Sequence, residues 1–155
     1  VACSGGVTAT VGEGFSTDGT LSLVLSGGSR LATASVACSG LGADLSGGSV
    51  LDGAVSCPLG AAALSLSGGS GVRSLAGTAA TLDLVHSGGG RAELSDLSVD
   101  SAAVSLSGGA AATVSVQTRL TATLTGGSIL RYRSYASGPI VTIVDVSGGS
   151  SIASF

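Results

Sequence analysis

Eight times in 155 residues the chain returns to one short phrase. Ser-Gly-Gly begins at Ser4, Ser26, Ser46, Ser67, Ser87, Ser107 and Ser147, with Thr125-Gly126-Gly127 as a variant, and the successive spacings are 22, 20, 21, 20, 20, 18 and 22 residues. A steady period near twenty is the signature of a solenoid. Each repeat is one coil that cannot bury its apolar side alone, so the coils must stack.

The residues around the phrase fall into columns. One place before it stand Cys3, Leu25, Leu45, Leu66, His86, Leu106, Leu124 and Val146; three before it stand Leu23, Ala43, Leu64, Leu84, Val104, Ala122 and Val144. Five places after it come Ala9, Leu31, Leu51, Val72, Ala92, Ala112, Leu130 and Ile152. The position between the first two columns holds Val24, Asp44, Ser65, Val85, Ser105, Thr123 and Asp145. That alternation belongs to a strand with one buried and one wetter face. Each repeat is predicted as a short strand, a Ser-Gly-Gly corner, a second short strand and a more variable return. Glycine suits the corner because it accepts positive φ without a β-carbon clash.

The predicted fold is all-β: a right-handed, three-sided parallel β-helix (β-solenoid) of about seven to eight turns of roughly 20 residues. Parallel pairing between coils at about 4.8 Å gives a rod roughly 34 Å long. One domain spans residues 1–155. Residues 1–20 form an irregular first turn, with Gly12-Glu13-Gly14-Phe15 and Ser16-Thr17-Asp18-Gly19-Thr20 as turn-like insertions. Residues 21–128 are the regular repeats and 129–155 the C-terminal turns. The start at Val1, already inside a repeat, reads as a processed product or an excised segment.

Composition narrows the function classes. Charged residues make up 10% of the chain and hydrophobic ones 44%, with no Lys, Asn, Met or Trp. The outer faces are therefore expected to be small, neutral and rich in hydroxyls. A net charge of −3 with scattered arginines argues against a nucleic-acid surface or a polybasic membrane patch. No run of apolar residues is long enough to span a membrane. Abundant glycine alone would suit a linker, but linkers do not keep Leu and Val at fixed offsets. Arg30, Asp52, Arg73, Arg91, Glu93, Asp96, Asp100 and Arg119 fall on the variable returns, where charge serves solubility.

Cys38 and Cys57 lie one turn apart at similar offsets, so neighbouring coils would bring them within disulfide range. A bridge between them would mark an oxidising compartment; the alternative is two buried thiols. Cys3 is left over, as a free buried thiol in the Leu column or as a partner for another chain.

The last stretch departs from the repeat. Ile129-Leu130-Arg131-Tyr132-Arg133-Ser134-Tyr135 holds both tyrosines and two of the six arginines, and Gly138-Pro139 follows at a predicted corner. Gly-Gly-Ser, two apolar residues, an aromatic, Gly-Pro, alternating valines and Asp145-Val146-Ser147-Gly148-Gly149-Ser150-Ser151 resemble the C-terminal end of the head GIN family. These are auto-transporter adhesin head domains of bacterial surface and periplasmic proteins. Upstream repeats such as Ala43-Asp44-Leu45-Ser46-Gly47-Gly48-Ser49 are similar to the family's central repeats. The resemblance covers residues 21–152, and the family's strand-rich N-terminal portion is not recognisable in 1–20. It implies a right-handed parallel β-helix, an extracytoplasmic location and adhesion. It carries no catalytic or ligand residues over.

No residue pattern here points to catalysis, and the chain is read as not an enzyme, with no cofactor and no metal. His86 occupies the buried column, where a neutral imidazole hydrogen-bonded to backbone or to a serine is expected. The serines fit no nucleophile motif. Asp44 and Asp145 share a column five turns apart, and Asp96 and Asp100 have no partner pattern. The calcium-binding nonapeptide repeat and zinc spacings are absent.

Binding or structural roles remain. An adhesive head would recognise a cell-surface glycan or protein, and Arg131, Tyr132, Arg133 and Tyr135 are the candidate patch, since aromatics and Arg concentrate binding energy. The same residues could instead cap the last turn. Partnering with itself is the second role: unpaired end coils stack head to tail into filaments. Ice binding through a flat Thr array is a minor alternative, carried by Thr8-Ala9-Thr10 and Thr121-Ala122-Thr123. The reading is an extracellular or cell-surface β-solenoid with a structural or adhesive role.

Overall fold

The computed structural model describes residues 1–135 and 140–155, without the side chains of 57–59 and 140. Strands follow one another with no helix among the described residues: β1 (Ala2–Cys3), β2 (Thr8–Val11), β3 (Phe15–Leu25), β4 (Arg30–Leu45), β5 (Val50–Ser67), β6 (Gly71–Ser87), β7 (Arg91–Ser107), β8 (Ala111–Leu124), β9 (Ile129–Ser134), β10 (Ile140–Val146) and β11 (Ser151–Ser154). Every pairing is parallel and joins a strand to the coil about one repeat away, in the order β1-β3-β4-β5-β6-β7-β8-β9-β11, with β2 on β4 and β10 on β8. This is a β-solenoid of about seven turns.

The register explains the cross-section. Between β5 and β6, the runs 50–52, 54–57 and 61–67 pair in step, separated by two register shifts. With the Gly-Gly corner these shifts divide the coil into three ladders. The expected variable return is therefore strand as well: β5 runs 18 residues with only bulges at its bends. Ser16–Thr20, expected as a turn-like insertion, lies within β3 and pairs with β4 across a shift between Thr17 and Thr20. Ser, Thr and Gly are weak evidence for a loop where a neighbouring coil supplies a complete parallel ladder.

All three predicted inward columns are buried through the body of the rod, from Leu23, Leu25 and Leu31 to Ala122, Leu124 and Leu130. Each buried Leu contributes about 1.5–3 kcal/mol relative to leaving it in water. Val24 and Val85, on the intervening position, are exposed as the alternation requires. The alternation fails at Val144. The register to β8 slips between Ile143 and Asp145, which leaves Val144 unpaired and 64% exposed instead of stacked on Ala122. A bulge inserts one residue and reverses its direction.

The corner has a fourth member that the columns do not reveal. Ser29, Ser49, Ser70 and Ser128 are fully buried. Their hydroxyls donate to the carbonyls of Ser26, Ser46, Ser67 and Thr125 at 2.7, 2.7, 2.8 and 2.7 Å. The phrase is thus a self-closing turn: two glycines reverse the chain and the serine satisfies the carbonyl left at the bend. The first glycines stack on each other from coil to coil. A β-carbon on Gly126 would lie 2.9 Å from the backbone nitrogen of Gly108.

Candidate functional site

The ladder that follows each Gly-Gly corner presents two outward columns. Register links Arg30, Val50 and Gly71 in one, continued by Arg91, Ala111 and Ile129; the other runs Ala32, Asp52 and Arg73, then Glu93, Thr113 and Arg131. Arg133 closes the ladder on β9. Five of the six arginines stand here (Arg30, Arg73, Arg91, Arg131 and Arg133) against two of the nine acids (Asp52 and Glu93), a formal +3 on one side of a chain of net charge −3. The scattered distribution expected from the sequence becomes a one-sided one once the chain is coiled.

Both acids are already engaged. Asp52 lies 3.6 Å from Arg30 on the preceding coil, and Glu93 lies 3.1 Å from Arg91. Arg73, Arg131 and Arg133 have no carboxylate partner among the described residues.

Side-chain size carves this face. Coil β8 contributes Ala111 and Thr113, while its neighbours contribute Arg91 and Glu93 on one side and Ile129, Arg131 and Arg133 on the other. A short rung between two tall ones leaves a groove of about 500 Å³ lined by these residues with Ser95, Ala112 and Phe155. Its volume is within the range of about 300–1,000 Å³ usual for ligand clefts. The walls stand two rungs apart, roughly 9–10 Å between backbones. A second groove of about 490 Å³ adjoins it across Arg91 and Glu93, floored by Gly71, with Arg73 beside it.

Phe155 was not recognisable as a site residue, because nothing in its own segment marks it. Coiling places it: β11 pairs with β9, and the Phe155 amide donates to the Tyr132 carbonyl at 3.1 Å. Its ring centroid lies 5.9 Å from the Arg131 guanidinium carbon and 5.0 Å from that of Arg133. Both are within cation–π range.

The four residues of the predicted patch divide by strand alternation. Arg131, Arg133 and Tyr135 are exposed, whereas Tyr132 turns inward and packs partly against the core, in register with Val114. The groove therefore brings together Arg131, Arg133 and Phe155, with Tyr132 beneath as support.

His86 lies elsewhere, in the third ladder, registered with Leu66 and Leu106 and fully buried. The expected hydrogen bond is missing: neither ring nitrogen has a partner. Its neighbours in the column are leucines, and its own corner carries Gly90 where four other corners carry the buried serine. Burial holds its pKa below the usual histidine range. No three His, Cys, Asp or Glu side chains gather as metal ligands among the described residues.

With this geometry in hand, the comparisons assign a family. The family model described as "Putative auto-transporter adhesin, head GIN domain" matches residues 1–136. The chain belongs to the head GIN family. No curated protein and no solved structure matches it at the significance required of both. The family match includes the first turn, which carried no recognisable family feature in the sequence. It stops before Asp145–Ser151, part of the segment that carries the sequence resemblance.

Cys3 is a free thiol buried in the Leu column, registered with Leu25. Cys38 is buried, and Ala37, just before it, registers with Ser56, just before Cys57. The Cys57 side chain and the Gly138-Pro139 corner lie outside the described residues. Thr121 sits in a ladder reading Ala63, Asp83, Ala103, Thr121, Thr142, so no long Thr array forms around it. No helix among the described residues is long and apolar enough to cross a membrane.

Proposed function

We propose that this chain is a non-enzymatic, extracytoplasmic β-solenoid that acts as an adhesive head, secreted or displayed at a cell surface, with the groove beside Arg131, Arg133 and Phe155 as its contact site. The observation that carries the reading is the convergence of unpaired arginines and an aromatic ring on a basic face of a chain whose net charge is −3. Family membership supplies the adhesive context. A rigid scaffold with a small number of aromatic and Arg anchors is how binding surfaces concentrate affinity. Beads coated with the chain should adhere to cells or to an immobilised glycan panel. Adhesion no greater than that of beads coated with an unrelated β-solenoid would remove the reading.

A second reading, end-to-end self-assembly, is favoured by the terminal coils. Among the described residues β2 pairs only with β4 and β10 only with β8, and Val1, Val7, Ile143 and Val144 are exposed there. Open ladder edges of this kind are covered by another strand when one is available, from a second copy or from further sequence of the same protein. Electron microscopy over a concentration range separates the two readings: fibres with an axial repeat near one rod length indicate a filament, and uniform short rods indicate a discrete head.

A further inference from the structure

We infer that the groove takes an acidic carbohydrate, a saccharide chain bearing carboxylates, and that Arg131 and Arg133 are its carboxylate-binding pair. The inference rests on the adhesive reading and names its ligand class.

Three observations meet at this point. First, the guanidinium carbons of Arg131 and Arg133 lie over the Phe155 ring, 5.9 and 5.0 Å from its centroid. Neither guanidinium makes a hydrogen bond or ion pair among the described residues, so their N–H donors are available in the fork geometry that matches a carboxylate. The ring also restrains two long side chains in advance, so less rotamer freedom is lost on binding. Second, the groove retains uncompensated positive charge. Glu93 is committed to Arg91 at 3.1 Å, and no carboxylate faces Arg131 or Arg133 within ion-pair distance among the described residues.

Third, the remaining surface suits sugar better than a bare anion or a nucleic acid. The floor is a short rung at Thr113, between walls two rungs apart, which admits a saccharide ring lying along the strands. Thr113 and Ser95 offer hydroxyls to ring hydroxyls, while the floor has no aromatic platform on which bases would stack. The second groove runs alongside on the same face, so a longer chain that crosses the Arg91–Glu93 rung would meet Arg73 as further cation.

The probe is trigalacturonate, titrated calorimetrically into the purified chain at low and high ionic strength, beside its methyl ester, inorganic phosphate and a single-stranded oligonucleotide. Trigalacturonate should bind, weaken with salt, and lose about ten- to a hundredfold in affinity in R131Q/R133Q, the loss expected for charge-assisted hydrogen bonds. The methyl ester should bind at least tenfold more weakly (about one charged contact). R119Q, which removes an arginine from another ladder, should leave binding unchanged. No binding of trigalacturonate, equal binding of the ester, or equal loss in R119Q overturns the inference. Phosphate or the oligonucleotide binding as tightly as the trisaccharide overturns the carbohydrate assignment. All substitutions are at exposed positions, and thermal unfolding of each variant confirms its fold. Adhesion of wild-type beads that R131Q/R133Q abolishes, together with no binding of trigalacturonate, would leave the adhesive reading standing while this inference falls.

Discussion

His86 Nε2 lies 2.8 Å from the point where a β-carbon on Gly90 would stand. In four other coils a Leu at the first position accompanies a Ser at the second: Leu25 with Ser29, Leu45 with Ser49, Leu66 with Ser70 and Leu124 with Ser128. Here the bulk has moved from the corner to the column. The imidazole takes space that the serine hydroxymethyl fills elsewhere, and Gly90 closes against the Ser70 carbonyl.

The two positions should therefore be coupled. Gly90→Ser alone should destabilise by at least about 3 kcal/mol through overpacking, because its β-carbon would meet the Ser70 carbonyl oxygen as well as the imidazole. In the His86→Leu background the same change restores the pairing used in four other coils, and the cost should fall by at least about 1 kcal/mol. Urea unfolding of the double-mutant cycle measures this. Simple additivity would show that the imidazole and the corner do not share space.

His86 also predicts a pH dependence of stability. Its folded pKa is lowered by burial, so below the unfolded value near 6.5 the unfolded chain binds a proton that the folded chain resists. The contribution is fully present above about pH 6.5 and declines as pH falls toward the folded pKa, with a slope of at most about 1.4 kcal/mol per pH unit. His86→Leu should flatten this component. It should also raise stability at neutral pH by about 1–3 kcal/mol, because an unpaired buried polar group is removed from a leucine column. Melting curves of both proteins from pH 7.5 to 5 check the sign. A steeper acid loss in His86→Leu would contradict it.

The coil was legible because it is local and periodic: Leu25, Leu45 and Leu66 recur at a fixed offset, and that alone sets which face is buried. What escaped the sequence depends on neighbouring coils. The basic face arises because Arg30, Arg73, Arg91 and Arg131, far apart in the chain, share one side of the rod. Phe155 meets Arg133 only through the pairing of β11 with β9. The groove is a difference in side-chain height between three rungs, invisible in any single repeat. Val144 was misplaced for a related reason, since a bulge obeys the register of the partner strand and not the local alternation.

The two corner glycines should differ in their tolerance of a side chain. Gly47 has φ +64° and a β-carbon there would lie 3.2 Å from the Gly27 nitrogen; Gly48 has φ +85° with nothing within 4 Å. Gly48→Ala should cost only the left-handed backbone conformation, about 1–2 kcal/mol. Gly47→Ala adds crowding against the coil below and should cost at least about 1 kcal/mol more. Parallel urea titrations give the order, and equal losses would mean that the glycine stack is not close-packed.

The last prediction concerns redox state. Ala37 and Ser56 are registered partners on adjacent coils, and Cys38 and Cys57 follow them directly. Registered neighbours in a parallel sheet are about 4.8 Å apart, inside the window of about 4.4–6.8 Å between α-carbons that a disulfide spans. We expect the oxidised chain to contain a Cys38–Cys57 bridge with Cys3 reduced. Intact mass without reductant should be lighter by two hydrogens, and a single Cys3 adduct should form on alkylation after denaturation. Reduction should lower stability by about 2–4 kcal/mol, since the bridge closes a loop of one coil in the unfolded chain. Three alkylated cysteines in protein isolated without reductant from an oxidising compartment would rule the bridge out.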